Sequence, residues 1–132
     1  MRTTSTVFLV SLALFGACAR APAPATSILS VDARPTIRFD NGERDYVHVY
    51  LVGASRQWLL GRVEAGAVAT LRVPNEALAE TEFVRLAVIR GQRLTLRAAG
   101  DPRARFTIAQ PTTSILSQRW SLAQGELISV RR

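Results

Sequence analysis

From about Ile28 onward, apolar and polar residues alternate in short bursts set apart by turn-forming residues. The stretch "TIRFD" puts Ile37 and Phe39 on one side of an extended chain, and "YVHVYLV" does the same with Val47, Val49 and Leu51. "ATLRV" follows with Ala69, Leu71 and Val73, "FVRLAVIR" with Val84, Leu86 and Val88, and "LTLRA" with Leu94 and Leu96. "RFTIA" and "LISV" close the series with Phe106 and Ile108, then Leu127 and Ser129. A period of two is what a strand with one buried face requires. Asn41-Gly42, Gly53-Ala54-Ser55, Glu64-Ala65-Gly66, Gly100-Asp101-Pro102 and Gln124-Gly125 supply the turns. Strands this short and this evenly spaced predict an all-β fold, a small antiparallel β-sandwich of immunoglobulin-like or similar type with about seven to nine strands. Only "NEALAE", Asn75 to Glu80, reads as a helical turn, with Asn75 as its cap.

The pattern also predicts a register. If Val84, Leu86 and Val88 face the core together with Leu94 and Leu96, pairs such as Val88 with Leu96 are required, and these need a three-residue loop, Gly91-Gln92-Arg93. Arg85 and Arg97 then share the solvent face, and Arg105 joins them if the next strand pairs alongside. Asn41-Gly42 between two alternating segments predicts a hairpin turn, against a calcium loop built from Asp40, Asn41, Glu43 and Asp45: the ligand spacing is wrong and Arg44 places a positive charge among the oxygens. "TSILS" occurs twice, at 26–30 and 113–117, as if two strand edges were built alike, but no longer self-similarity surrounds the copies.

The first 27 residues have a different character. Arg2 precedes a nine-residue uncharged run, "VFLVSLALF", and then the small pair Gly16-Ala17 and the only cysteine, Cys18. That is the order of a secretory signal. As a helix the run spans about 13 Å at about 1.5 Å per residue, against a hydrocarbon core of about 30 Å. "LFGAC" resembles the lipobox of bacterial lipoprotein precursors, in which small residues directly precede a cysteine, although Phe15 stands where an aliphatic residue is usual. The resemblance implies that residues 1–17 are a signal peptide, that Cys18 becomes the mature N-terminus, and that its sulfur and then its amine are acylated. An ordinary signal peptidase also finds an A-x-A site at Ala17-Cys18-Ala19, which would release a soluble chain from Arg20. A lone thiol in an oxidising compartment favours the lipid. "ARAPAPATS", which completes the segment 18–27, suits an extended tether of about 28 Å at about 3.1 Å per residue. By the resemblance, Ala19 after the cysteine goes with sorting to an outer membrane, periplasmic face, where the cell has one. The domain then occupies 28–132.

Composition narrows the partners. All 17 basic residues are arginine, against 10 acidic ones; loss of the signal peptide removes only Arg2, leaving 16 against 10, a formal +6. The absence of lysine is what a GC-rich bacterial genome produces. The surplus itself predicts attraction to anionic lipid, an acidic glycan or an acidic envelope protein, while nucleic acid is disfavoured for an exported chain.

Candidate chemistry is sparse. His48 is the only histidine, and no Gly-x-Ser-x-Gly elbow presents a nucleophile to it. Zinc needs three or four N or S ligands, and no phosphate-binding glycine loop or other cofactor motif is present. What the pattern offers is a surface: with Val47, Val49 and Leu51 inward, Tyr46, His48 and Tyr50 form an outward stripe suited to recognition, unless the strand is covered on both faces. The expectation is a lipid-anchored, non-enzymatic binding or scaffolding module of the bacterial cell envelope. An accessory subunit of an envelope transport complex is the alternative, marked by an unpaired sheet edge or exposed apolar patch. A hydrolase using His48 would need a carboxylate and a serine converging on it.

Overall fold

The computed structural model describes residues 34–80, 83–91 and 97–131. Nine strands are present among them: β1 (Thr36–Asn41), β2 (Val47–Val52), β3 (Gln57–Val63), β4 (Val68–Arg72), β5 (Phe83–Arg90), β6 (Arg105–Phe106), β7 (Gln110–Pro111), β8 (Gln118–Ala123) and β9 (Glu126–Arg131). Two short helices, α1 (Asn75–Glu80) and α2 (Thr112–Leu116), and one 3₁₀ turn, Ala98–Gly100, join them. They lie within the compact unit Asp32–Arg132.

The strands form two sheets. Sheet A has the order β4-β1-β8-β9, and sheet B the order β3-β2-β5-β6, with β7 pairing β5 further along. All pairings are antiparallel except β1 with β8, which is parallel. The core lies between the sheets, filled from one side by Ile37, Phe39, Leu71, Trp120 and Leu122 and from the other by Val47, Val49, Leu51, Val63, Val84, Leu86 and Val88. These are alternate residues of their strands, and the alternation is what sorts them to one face. Ile115 of α2 and Ala77 of α1 plug the core's ends. The Trp120 indole N–H donates to the Ile115 carbonyl at 3.1 Å, so the largest ring of the core is buried without an orphaned donor.

Several local expectations are corrected. Asn41-Gly42 is no hairpin turn: β1 belongs to sheet A and β2 to sheet B, so this loop carries the chain from one sheet to the other. Asn41 makes that crossing possible. Fully buried, its amide nitrogen lies 2.9, 3.1 and 3.0 Å from the carbonyls of Asp45, Val63 and Glu64, and its Oδ1 accepts the Glu43 N–H at 3.2 Å. Carbonyls released from sheet pairing where the strands part are thus satisfied by one side chain. Gln124-Gly125 does close a two-residue hairpin, with φ of 52° and 78° at the two positions that such a turn requires to be positive.

The loop Gly91-Gln92-Arg93 and the strand at Leu94 and Leu96 fall largely on residues 92–96, outside the described residues. The described neighbours of Val88 are Val49 on one side and Arg105 on the other. The second "TSILS" is no strand edge but the body of α2; the first copy lies outside the described residues. "RFTIA" is extended only at Arg105–Phe106, and Ile108 is exposed.

Candidate functional site

A sandwich has two outer faces, and here they differ. Strand β2 is buried along its whole length, and β5 from Leu86 to Ile89. On the outer side of sheet B, Tyr50, Val52, Ala87 and Ile89 pack against Ala98 and Ala104, with Phe106 laid over them, as a second small core. The segment 98–106 is the lid of this core. The Gln57 side chain accepts the Ala98 N–H at 2.6 Å. At the lid's turn, the Arg103 guanidinium grips Asp101 at 2.7 and 3.0 Å and holds its carboxyl at about 2. Hydrogen bonding from the guanidinium comes first among the causes and that from the Arg103 backbone N–H second, so Asp101 stays ionised through the neutral and mildly acidic range.

This lid removes the outward stripe as a solvent-facing surface. Tyr50 is 2% exposed and His48 7%, and only Tyr46 is half-buried. Tyr46 stands edge-on to His48, ring centroids 5.6 Å apart, under the Arg62 guanidinium, which lies 3.7 Å from the Tyr46 ring centroid. Burial, and secondarily the positive charge of Arg62, pushes the His48 pKa below its ordinary value. Its Nδ1 is buried with no hydrogen-bond partner, so no carboxylate orients the imidazole there as a catalytic dyad needs.

The three arginines expected to share a face are dispersed. Arg85 stacks over Phe106 at 4.8 Å from the ring centroid. Arg105 sits opposite Val88, whose side chain belongs to the inner core, and so has the parity opposite to that of Arg85. Arg97 precedes the 3₁₀ turn, off the strands altogether. The register that would have aligned them assumed that β5 pairs with the residues following it, and β2 and β6 hold those positions instead. Cys18 lies outside the described residues. Among those described, no group of three His, Cys, Asp or Glu side chains is placed to hold a metal, and no helix is long and apolar enough to cross a membrane.

Sheet A presents the open face. Its register aligns Thr70, Arg38, Arg119 and Val130 in one row across β4, β1, β8 and β9, and Val68, Asp40, Ser121 and Ile128 in the next. Every one of these alternates with an inward residue, and none is buried. Val68, Ile128 and Val130 are 51%, 47% and 52% exposed. The rows line a shallow basin of about 340 Å³. Arg38 and Arg119 stand directly opposite each other on neighbouring strands, an arrangement that costs stability unless the charge is met from outside. The signal for this face was in the sequence: Arg38 and Asp40 flank Phe39, and Arg119 and Ser121 flank Trp120. That signal is faint, because only Trp120 and Leu122 mark the alternation of β8.

Comparison with known protein families, characterised proteins and solved structures returns no match.

Proposed function

We propose that this protein is a lipid-anchored, non-enzymatic binding or scaffolding module of the bacterial cell envelope, acylated at Cys18 and working through the outer face of sheet A. The observation that carries the binding role is the open row pair across that face, where two adjacent arginines are bordered by exposed valine and isoleucine. Apolar area with unmatched positive charge suits an acidic, partly apolar partner, either anionic lipid or glycan at the envelope or another envelope protein. The anchor rests on the order Arg2, apolar run, Gly16-Ala17 and Cys18. A hydrolase reading finds no support at His48, whose Nδ1 has no partner. The alternative of an accessory subunit in an envelope transport complex is favoured by one specific feature, the exposed strand β9 at the end of sheet A.

Intact mass of the protein extracted from membranes tests the anchor: loss of residues 1–17 with a lipid-sized addition is expected, and a soluble chain beginning at Arg20 overturns it. Vesicle flotation of the soluble domain, without the acylated Cys18, tests the face. Binding to anionic vesicles should fall steeply with salt, since exposed charges are screened over about 8 Å at physiological ionic strength. It should also fall in an Arg38→Ala, Arg119→Ala variant; equal binding to neutral vesicles contradicts the assignment.

A further inference from the structure

A sandwich of two open sheets has four edge strands, and unpaired edges invite pairing with other chains unless something blunts them. Three are blunted here. On sheet B, β3 is interrupted by a register shift opposite Val49 and Tyr50, and the far side of β5 meets only the two-residue strands β6 and β7, the second of which contains Pro111. On sheet A, β4 is five residues long and turns directly out of β3 through Glu64–Ala67, so the two strands stay close where the sheets meet. A Cβ at Gly61 of β3 would already stand 3.0 Å from the Leu71 side chain of β4.

The fourth edge, β9, is blunted least, its only charged residues being the two at its ends, Glu126 and Arg131. It runs six residues in regular register with β8, without proline or bulge, and with no charge from Leu127 to Val130. Its outward residues Ile128 and Val130 are about half exposed. A notch of about 640 Å³ runs beside its first half, bordered by Arg105 and Phe106. Among the described residues no further strand pairs with it.

We infer that β9 is a self-association edge, and that its occupant is β9 of a second copy of this chain, joined antiparallel about a two-fold axis through Ile128. The strand's own register selects this arrangement. In an antiparallel pair, residues directly opposite share a face, so opposed numbers must have even sums if the outer faces of the two A sheets are to stay on one side. Placing Ile128 on its own symmetry mate sets Glu126 opposite Val130 of the second copy, and Leu127 opposite Ser129. Val130 is already in the row of Arg119. Glu126 of the second copy therefore ends two strand spacings, about 10 Å, from Arg119 on the same outer face, within the combined reach of the two side chains across Val130. The symmetry makes this contact twice. Arg119 gains from the second copy an acidic partner while Arg38 stays open on the outer face, and the two four-stranded A sheets become one eight-stranded sheet of closed, isologous type.

The neighbouring even register, with Ser129 on the axis, pairs Ile128 with Val130 but moves Glu126 beyond the end of the opposing strand and leaves Arg119 unmatched. The two are separable by cross-linking. The full chain, extracted from membranes in detergent, is oxidised mildly as the parent, as the Ile128→Cys variant and as the Ser129→Cys variant. Disulfide-linked dimer is expected in the Ile128→Cys sample at several-fold the yield of the Ser129→Cys sample, with none in the parent. Light scattering of the parent at tens of micromolar should give twice the chain mass, falling to one chain mass in Ile128→Lys. Glu126→Arg should weaken association at least tenfold, and pairing it with Arg119→Glu should recover most of the loss. A parent of single-chain mass, equal cross-linking at both positions, no recovery in the charge swap, or capture of a different protein at Ile128→Cys each overturns the assignment.

Discussion

The two outer faces of this sandwich are built from strands of similar length, yet one is a second core and the other is open surface. Their sequences explain the difference. The outward positions of β2 and β5 are His48, Tyr50 and Val52, then Arg85, Ala87 and Ile89, with Arg85, stacked over Phe106, the one charge among them; those of β1 and β8 are Arg38, Asp40, Arg119 and Ser121. A strand apolar at successive positions must find cover on both sides. The segment 98–106 supplies it with small residues, Ala98 and Ala104, that let the backbone lie close over Tyr50. Sheet A has no such segment among the described residues, and its alternation of apolar and charged positions is that of a strand pair wetted on one side. Cover on a sheet, then, is set by the outward residues as much as by the inward ones.

Truncation should separate the faces most strongly. Tyr50→Ser removes a buried ring from the outer core and is expected to cost about 3 to 5 kcal/mol, a melting temperature lower by well over 10 °C for a domain of this size, read by calorimetry. Val68→Ser on the open face should shift stability by no more than about 0.5 kcal/mol. If both melt alike, the contrast fails.

Next in size is Asn41→Ala, at the crossing between sheets. It leaves buried carbonyls of Val63 and its neighbours without their donor, with an expected cost of about 1 to 3 kcal/mol in denaturant unfolding.

The pH dependence expected from His48 of sheet B is smaller. Because burial holds the His48 pKa below its ordinary value of 6.5, the unfolded chain binds the extra proton first as pH falls. Stability is therefore full above about pH 6.5 and declines as pH drops through the folded value. His48→Phe should flatten this part of a melting-temperature profile, and, since Nδ1 has no partner to lose, cost little at pH 7. A profile unchanged by the substitution would place the titrating group elsewhere.

Much of this architecture could be read before any coordinates, and the parts that could not have physical reasons. Strands with clean alternation, β1, β2, β4, β5 and β9, fall where the pattern put them. Strand β3, "QWLLGRV", escapes the pattern because three large apolar residues in succession and a glycine hide its period, and the structure shows why: the strand shifts register against β2. Strand β8 has only Trp120 and Leu122 to mark its alternation, which hides the pairing of Arg38 with Arg119 that defines the open face. The Tyr46-His48-Tyr50 stripe was drawn on the right side of β2 but given to solvent. Period two reports which residues share a face; it carries no information on whether a distant segment, here Ala98 to Phe106, lies over that face.

The contrast between a covered and an open outer face is tested most directly by hydroxyl-radical footprinting of the folded protein, with oxidation read residue by residue by mass spectrometry. Tyrosine is intrinsically more reactive than isoleucine or valine, so exposure and chemistry make opposite forecasts. Ile128 and Val130 should be modified at a rate that falls with rising protein concentration as β9 pairs, while Tyr50 stays protected at every concentration. Oxidation of Tyr50 at the rate of an unfolded chain, with Ile128 and Val130 silent throughout, would contradict it.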